Sequence, residues 1–308
     1  MKRAALIMLT IILALLPALG GLALAEAAPA YEDLISDIPY IDDGDANHTL
    51  DIYGSSGKDA PAKAVIEVHG GGFIGGNKTT NTDHSIVFAE DGFVVVNPDY
   101  SKVPRGVSFP DVIRELFTAY QWVADHAGEY HIDTNSLFLS GDSAGGYYVL
   151  ITMAIMHDPA LQEYFGVTPP PFEFAGYVTT CPDTDILRKR EYLGEDKKGP
   201  EAYNANTIGE DILMDDDLMS HMDLFSCTDP ANFAGLYMMT TPADKTTGEA
   251  VMKFDAYLTE QGVEHILNSY ESQENELLHV FNISHTDWVE SIAANQDEID
   301  FMNGKLAE

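Results

Sequence analysis

From Thr49 to its C-terminal end, this 308-residue chain alternates short apolar runs of strand length with longer runs of helical period. No other feature restricts its fold as strongly. Residues 49–53, 64–68, 93–96, 136–140, 174–180, 236–241 and 264–270 read as strands. Between them, residues 111–129 carry Val112, Leu116, Tyr120 and Val123 on one helical face, and residues 144–157 form a strongly apolar helical stretch. Further helices are expected over about 247–261 and 286–306. Strands alternating with helices of this length imply an α/β fold, with a mostly parallel central sheet and helices on both faces. Residues 26–48 sustain no period and read as a solvated arm. Residues 183–232 make an unusually long connection that mixes charges with Tyr192, Tyr203 and Phe225. Such a connection is either a lid over a binding site or a helical excursion packing the sheet edge.

Residues 1–25 read as a secretory signal peptide. Lys2 and Arg3 precede an apolar stretch, and Ala23-Leu24-Ala25 offers a small-residue cleavage site before Glu26. The rival reading, an uncleaved membrane anchor, is opposed by the shortness of the apolar run and by Pro17 and Gly20-Gly21 within it. Residues 26–308 are then expected to be one secreted domain, extracellular or periplasmic, with no stable membrane association. With 50 Asp+Glu against 16 Lys+Arg, a formal net charge of −34 argues against nucleic acid and anionic membrane surfaces as partners, since phosphates demand Lys and Arg. A neutral substrate fits better. Cys181 and Cys227, the only cysteines, lack the spacing of a metal site. They are expected as two buried free thiols, although an oxidising compartment permits a disulfide between them. Asp42-Asp43-Gly44-Asp45 fails the EF-hand pattern, because His48 stands where the turn glycine belongs. Neither a metal nor a cofactor is expected.

Gly141-Asp142-Ser143-Ala144-Gly145 falls between the strand 136–140 and the helix that follows. A serine on a tight strand-to-helix turn takes a strained backbone, and glycines two residues away on either side relieve the crowding. Such a turn lifts the Ser143 hydroxyl above the sheet edge and aims the Ala144 N–H at a developing oxyanion. His69-Gly70-Gly71-Gly72-Phe73 follows the strand 64–68. Lacking side chains, Gly70 and Gly71 bring backbone N–H groups close to a reacting carbonyl, while Gly72 shapes the turn and His69 orients the loop. Gly70, Gly72 and Gly75 also satisfy the spacing of a dinucleotide fingerprint, with Asp99 beyond the next strand. The helix that fingerprint requires at Gly75 is replaced by the loop-like Gly76-Asn77-Lys78-Thr79-Thr80.

Taken together, the HGGGF segment, Asn97-Pro98-Asp99-Tyr100 and the GDSAGG segment resemble the hormone-sensitive-lipase-like carboxylesterase branch of the α/β hydrolases, over roughly Thr49 to the C-terminus. The resemblance implies the α/β-hydrolase fold and the chain order nucleophile, acid, base. Ser143 is then the nucleophile. Asp244, after the strand 236–241, is the acid, with Phe254, Leu258 and Gly262 matching the family pattern behind it; Asp183 and Asp185 stand as alternatives. His279, followed by Val280-Phe281, is the base, with His285 as its alternative. Gly70, Gly71 and Ala144 are the expected oxyanion donors. Ser101 stands where the family usually has arginine, and the N-terminal region is too short for the family's larger cap, so a small cap or lid is implied. The expected function is hydrolysis of small-molecule or carbohydrate-linked esters by a secreted serine esterase. A hydrolase-fold peptidase or lipase and a non-catalytic hydrolase-fold binding protein are the alternatives.

Overall fold

Successive residues of a strand point to opposite faces of a sheet, so an unbroken apolar strand needs cover on both sides. The computed structural model, which describes residues 31–305, provides it. The chain runs through β1 (Leu34–Pro39), β2 (Thr49–Tyr53), β3 (Ala62–Val68), α1 (Thr82–Glu90), β4 (Val94–Pro98), α2 (Phe109–His126) and β5 (Ile132–Asp142). Then come α3 (Ser143–His157), α4 (Pro159–Phe165) and β6 (Gly176–Thr180). A long excursion holds α5 (Pro200–Ile208), α6 (Glu210–Leu213) and α7 (Asp216–Met222). The chain finishes with β7 (Leu236–Thr240), α8 (Gly248–Glu260), β8 (His265–Ser269), α9 (Phe281–Ser284) and α10 (Val289–Met302).

The eight strands form one sheet in the order β1-β2-β4-β3-β5-β6-β7-β8. The pairs β1–β2 and β2–β4 are antiparallel, and every other pair is parallel. Residues 64–68, the whole of β4 and residues 137–142 are buried at each position. α3 packs on β5 and β6 and is buried continuously from Ala144 to Met156, as a helix apolar on all sides must be. Each aliphatic side chain so buried stabilises the fold by about 1.5–3 kcal/mol. α2 is amphipathic instead: it buries Val112, Leu116, Tyr120 and Val123 and starts at a reciprocal Ser108–Asp111 cap.

Register decides where the loops meet. Val68 of β3 pairs with Gly141 of β5, Asp142 with Thr180 of β6, and Thr180 with Met239 of β7. The parallel strands therefore end at one edge, and the segments that leave them converge there.

Several segments differ from the sequence expectation. Residues 34–39 are not a solvated arm but the edge strand β1, paired with β2 from Leu34↔Tyr53 to Pro39↔Thr49. An irregularity between Ile35 and Ile38, where Asp37 takes φ 59°, breaks the alternation by which a strand is read. The helices α1 and α4 also went unread; Lys78–Asn81 is a 3-10 turn leading into α1. Asp43 and Asp45 are used locally: Asp45 caps the 3-10 turn Ala46–His48, Asp43 Oδ1 accepts the Asp45 N–H at 2.9 Å, and Asp43 Oδ2 lies 2.7 Å from His48 Nδ1. Cys181 and Cys227 are both free; Cys181 is buried, whereas Cys227 is only half-buried. The signal-peptide segment, residues 1–25, lies outside the described residues. Among the described residues no helix is long and apolar enough to cross a membrane.

Candidate active site

Ser143 opens α3 directly after Asp142, the last residue of β5, and its φ of 51° is the left-handed value that a side chain resists. Crowding enforces the neighbouring glycine: a Cβ on Gly145 would stand 2.0 Å from the Val68 carbonyl oxygen. The strained turn holds the Ser143 hydroxyl off the sheet edge. There Ser143 Oγ lies 2.9 Å from His279 Nε2, and His279 Nδ1 lies 2.9 Å from Asp244 Oδ2. Asp244 follows β7, and His279 stands in the loop between β8 and α9, next to Val280 at φ 51°.

The carboxylate of Asp244 is held on both oxygens. Oδ1 accepts the N–H groups of Thr246 and Thr247 at 2.8 and 3.1 Å, and the Thr247 hydroxyl lies 2.8 Å from Oδ2. Burial pushes this carboxyl up, but the hydrogen bond and charge of His279 and the two contacts from Thr247 outweigh it, holding the group down at about 2. It stays ionised and acceptor-only wherever proteins normally work, which fixes His279 Nδ1 as the donor. Thr247 was not singled out from the sequence; its position three residues after Asp244 is the only hint there.

The alternatives lie elsewhere. Asp183 gives its N–H to the Ser143 carbonyl at 2.9 Å and its carboxylate to Lys189 at 2.7 Å. Asp185 caps the turn Ile186–Tyr192 and bonds Lys253. His285 is exposed and stacks on Trp288 at 4.0 Å. His69 is fully buried, stacked on Tyr100 at 4.2 Å, with Nδ1 2.6 Å from the Gly70 carbonyl oxygen and Nε2 3.2 Å from Asp99.

One expected oxyanion donor is already committed. The Gly70 N–H donates to Asp142 Oδ1 at 2.8 Å, so it does not face a reacting carbonyl. The next two amides of the loop, Gly71 and Gly72, form no hydrogen bond among the described residues, and both glycines line the cavity over Ser143. Ala144 is the second residue of α3, so its N–H belongs to the first turn, which has no partner within the helix. That hydrogen bond removes Gly70 from the expected donors, and leaves the amides of Gly71, Gly72 and Ala144 without a partner beside Ser143 among the described residues.

The cavity has a volume of about 330 Å³, and Lys189, Glu201 and Asn204 of the 183–232 excursion line it together with the glycines, Asn204 standing against Gly72. The Cys181 sulfur and ligand atoms of Asp244 and His279 lie within 4.8 Å of one another. Burial and the charge of Asp244 push the Cys181 thiol well above its usual range, disfavouring the thiolate that a metal would take.

A family model described as BD-FAE matches residues 50–235, more than half of the chain. The chain belongs to the BD-FAE family. The matched segment includes Ser143 and the glycine loop but ends before Asp244 and His279. A probable carboxylic ester hydrolase, LipM, of Mycobacterium tuberculosis is 33% identical over 133 residues, 42% of this chain and 30% of the relative. Hormone-sensitive lipase of Bos taurus is 32% identical over 83 residues, 27% of this chain and 11% of the relative. The matches thus span less than a third of the length of these two curated relatives. Among solved structures, esterase B of Lactobacillus rhamnosis (HN001) superimposes with a TM-score of 0.77 at 22% identity, covering 89% of this chain and 87% of that one. This BD-FAE chain has the α/β-hydrolase fold, and its relatives include the hormone-sensitive-lipase-like carboxylesterases that the motifs resemble.

Proposed function

We propose that this protein is a secreted serine carboxylic-ester hydrolase in which Ser143, His279 and Asp244 act as nucleophile, base and acid. One observation carries the reading: the continuous line from Ser143 Oγ through the His279 imidazole to the Asp244 carboxylate, with 2.9 Å at each step. His279 Nε2 takes the hydroxyl proton as Oγ attacks the ester carbonyl. The carbonyl oxygen, now negative, is stabilised by the N–H groups of Gly71, Gly72 and Ala144, each such donor being worth about 100- to 1000-fold in rate. Asp244 stabilises the imidazolium, which returns its proton to the departing alcohol. Water then attacks the acyl-enzyme by the same steps in reverse. None of these steps calls for a metal or a cofactor.

A small cavity with Thr80, Asp183, Lys189, Glu201 and Asn204 around it supports short-chain acyl or carbohydrate-linked esters as substrates, with residues 183–232 serving as the lid. The names of the relatives support ester hydrolysis over peptide hydrolysis. Export rests on the leader at residues 1–25, and the net charge of −34 supports a neutral substrate and no nucleic-acid partner.

Ser143→Ala tests the reading. The variant is expected to keep the melting temperature of the native chain and to lose about 10⁴-fold or more of its turnover of p-nitrophenyl acetate, since members of a triad act as a unit. Turnover within tenfold of the native rate would remove Ser143 as the nucleophile.

A further inference from the structure

The ester hydrolysis described above leaves unused a buried line of polar side chains behind the glycine loop. Asp142 occupies the N-cap of α3, yet its side chain makes no cap hydrogen bond. It turns to the loop, where Oδ1 accepts the Gly70 N–H at 2.8 Å and Asn81 Nδ2 at 2.9 Å. Asn81 Nδ2 lies 3.1 Å from Glu67 Oε1 as well, and that same oxygen lies 2.6 Å from His84 Nδ1. On its other side, His84 Nε2 is 3.1 Å from Glu298 Oε2 of α10, whose second oxygen accepts the Thr180 hydroxyl at 2.8 Å. Each of these residues is 4% exposed or less.

Both His84 nitrogens face a carboxylate oxygen, the arrangement in which an imidazolium donates to each. Burial pushes its pKa down, but Glu67 and Glu298 prevail and raise it to about 10. Asn81 must turn its NH₂ toward two carboxylate oxygens, and its own Oδ1 is left buried with no partner among the described residues. The line therefore joins β3, α1, β5 and α10 into one frame, and its terminal contact is the backbone N–H that opens the glycine loop.

A run of three glycines has little conformational preference of its own, so something must hold it in place. We propose that Glu67, Asn81, His84, Asp142 and Glu298 are positioning residues: a buried relay that grips the Gly70 N–H and so places the Gly71 and Gly72 amides where the oxyanion forms. This inference rests on the ester-hydrolase reading. Asn81, Glu67, His84 and Glu298 do not line the cavity, and they act through Asp142 and Gly70. Oxyanion donors bind charge that develops only on the way to the transition state, so loosening them lowers kcat and spares KM.

The test uses the full chain with Asn81→Leu and Glu298→Gln, counting active sites by complete fluorophosphonate labelling of Ser143. For p-nitrophenyl acetate, kcat per labelled site is expected to fall about tenfold, less than the roughly 100- to 1000-fold of a whole missing donor, with KM within about twofold. Affinity for a trifluoromethyl ketone, which mimics the tetrahedral oxyanion, falls by the same factor as kcat. A lowered melting temperature with kcat per labelled site unchanged makes the line structural only and overturns the proposal, as does a loss confined to KM. Should Asn81→Leu not fold, Glu298→Gln gives the same readings from the far end of the line. A native chain that takes no label and turns over no ester overturns the ester-hydrolase reading itself, and the relay with it.

Discussion

Two parts of the chain line the cavity over Ser143: Gly71 and Gly72, backed by the buried line from Asp142 to Glu298, and Lys189, Glu201 and Asn204, carried by the short helices of the 183–232 excursion. The glycine side presents backbone amides, and its charges are hidden behind them. The excursion presents side chains. Three consecutive cations brace it: Arg188 reaches the Thr246 carbonyl outside it at 2.6 Å, while Lys189 and Arg190 reach Asp183 and the Leu213 carbonyl within it, each at 2.7 Å. It also leaves Tyr203 and Met214 exposed. The first wall is built to keep a few N–H groups in fixed positions. The second is packed into the core through Ile186, Ala205, Ile208, Leu213 and Met222, and it meets the first where the Asn204 amide closes on Gly72 and Lys189 lies over the Phe73 ring at 5.3 Å. The backbone amides and the side chains that line the cavity thus come from separate parts of the chain.

The largest effect expected to sharpen this contrast is on stability, at Lys189. Its side chain is 5% exposed, lies against Asp183 and Glu201, and is held above its ordinary value by those two acids against the opposing pull of burial. Lys189→Met strands two acids and should cost about 3–5 kcal/mol in urea unfolding. Arg190→Met, whose partner Asp216 is 89% exposed, should cost about 1 kcal/mol or less from the lost ion pair. Equal losses at the two positions would break the view that Lys189 is the excursion's anchor.

Next comes the glycine wall, through rate. Gly71 has φ 130°, and a Cβ there would stand 2.1 Å from the Gly75 carbonyl oxygen. Gly71→Ala must shift the loop, so kcat for p-nitrophenyl acetate is expected to fall about 100-fold, the loss of one oxyanion donor. A rise in KM at unchanged kcat would mean that this wall, too, serves binding.

The smallest effect is on the pH dependence of stability. His84 has its pKa raised to about 10, above the free value near 6.5. Its ion pairs therefore contribute fully below about 6.5, and the contribution is lost as pH rises through about 10. The melting temperature should fall by a few degrees between pH 7 and pH 10, and fall less in Glu298→Gln, where one partner carboxylate is gone. An equal fall in both would disconnect α10 from the glycine wall.

How much of this could be read from residue types depends on how far apart in the chain the decisive groups lie. The strands β2 to β8 and the helices α2, α3, α8 and α10 were legible because each carries its own period. β1 was not, since Asp37 interrupts its alternation and most of its positions face solvent. The motif order pointed to Asp244 and His279, whose side chains stand in line with Ser143, but only spacing hinted at Thr247 as the donor behind Asp244. Lys189 stood among mixed charges in a segment without period, and its direction into the cavity could not be inferred.

What the sequence determined by itself was the turn at Ser143, the glycine loop after β3 and the alternation that makes the sheet, because steric rules between near neighbours suffice for each. Tertiary structure alone decided that the Gly70 amide belongs to Asp142, 72 residues away, and that His84 meets Glu298 across 214 residues. Hydrogen-bond partners at such separations are chosen by strand register and helix docking, and a donor promised to one acceptor is lost to every other.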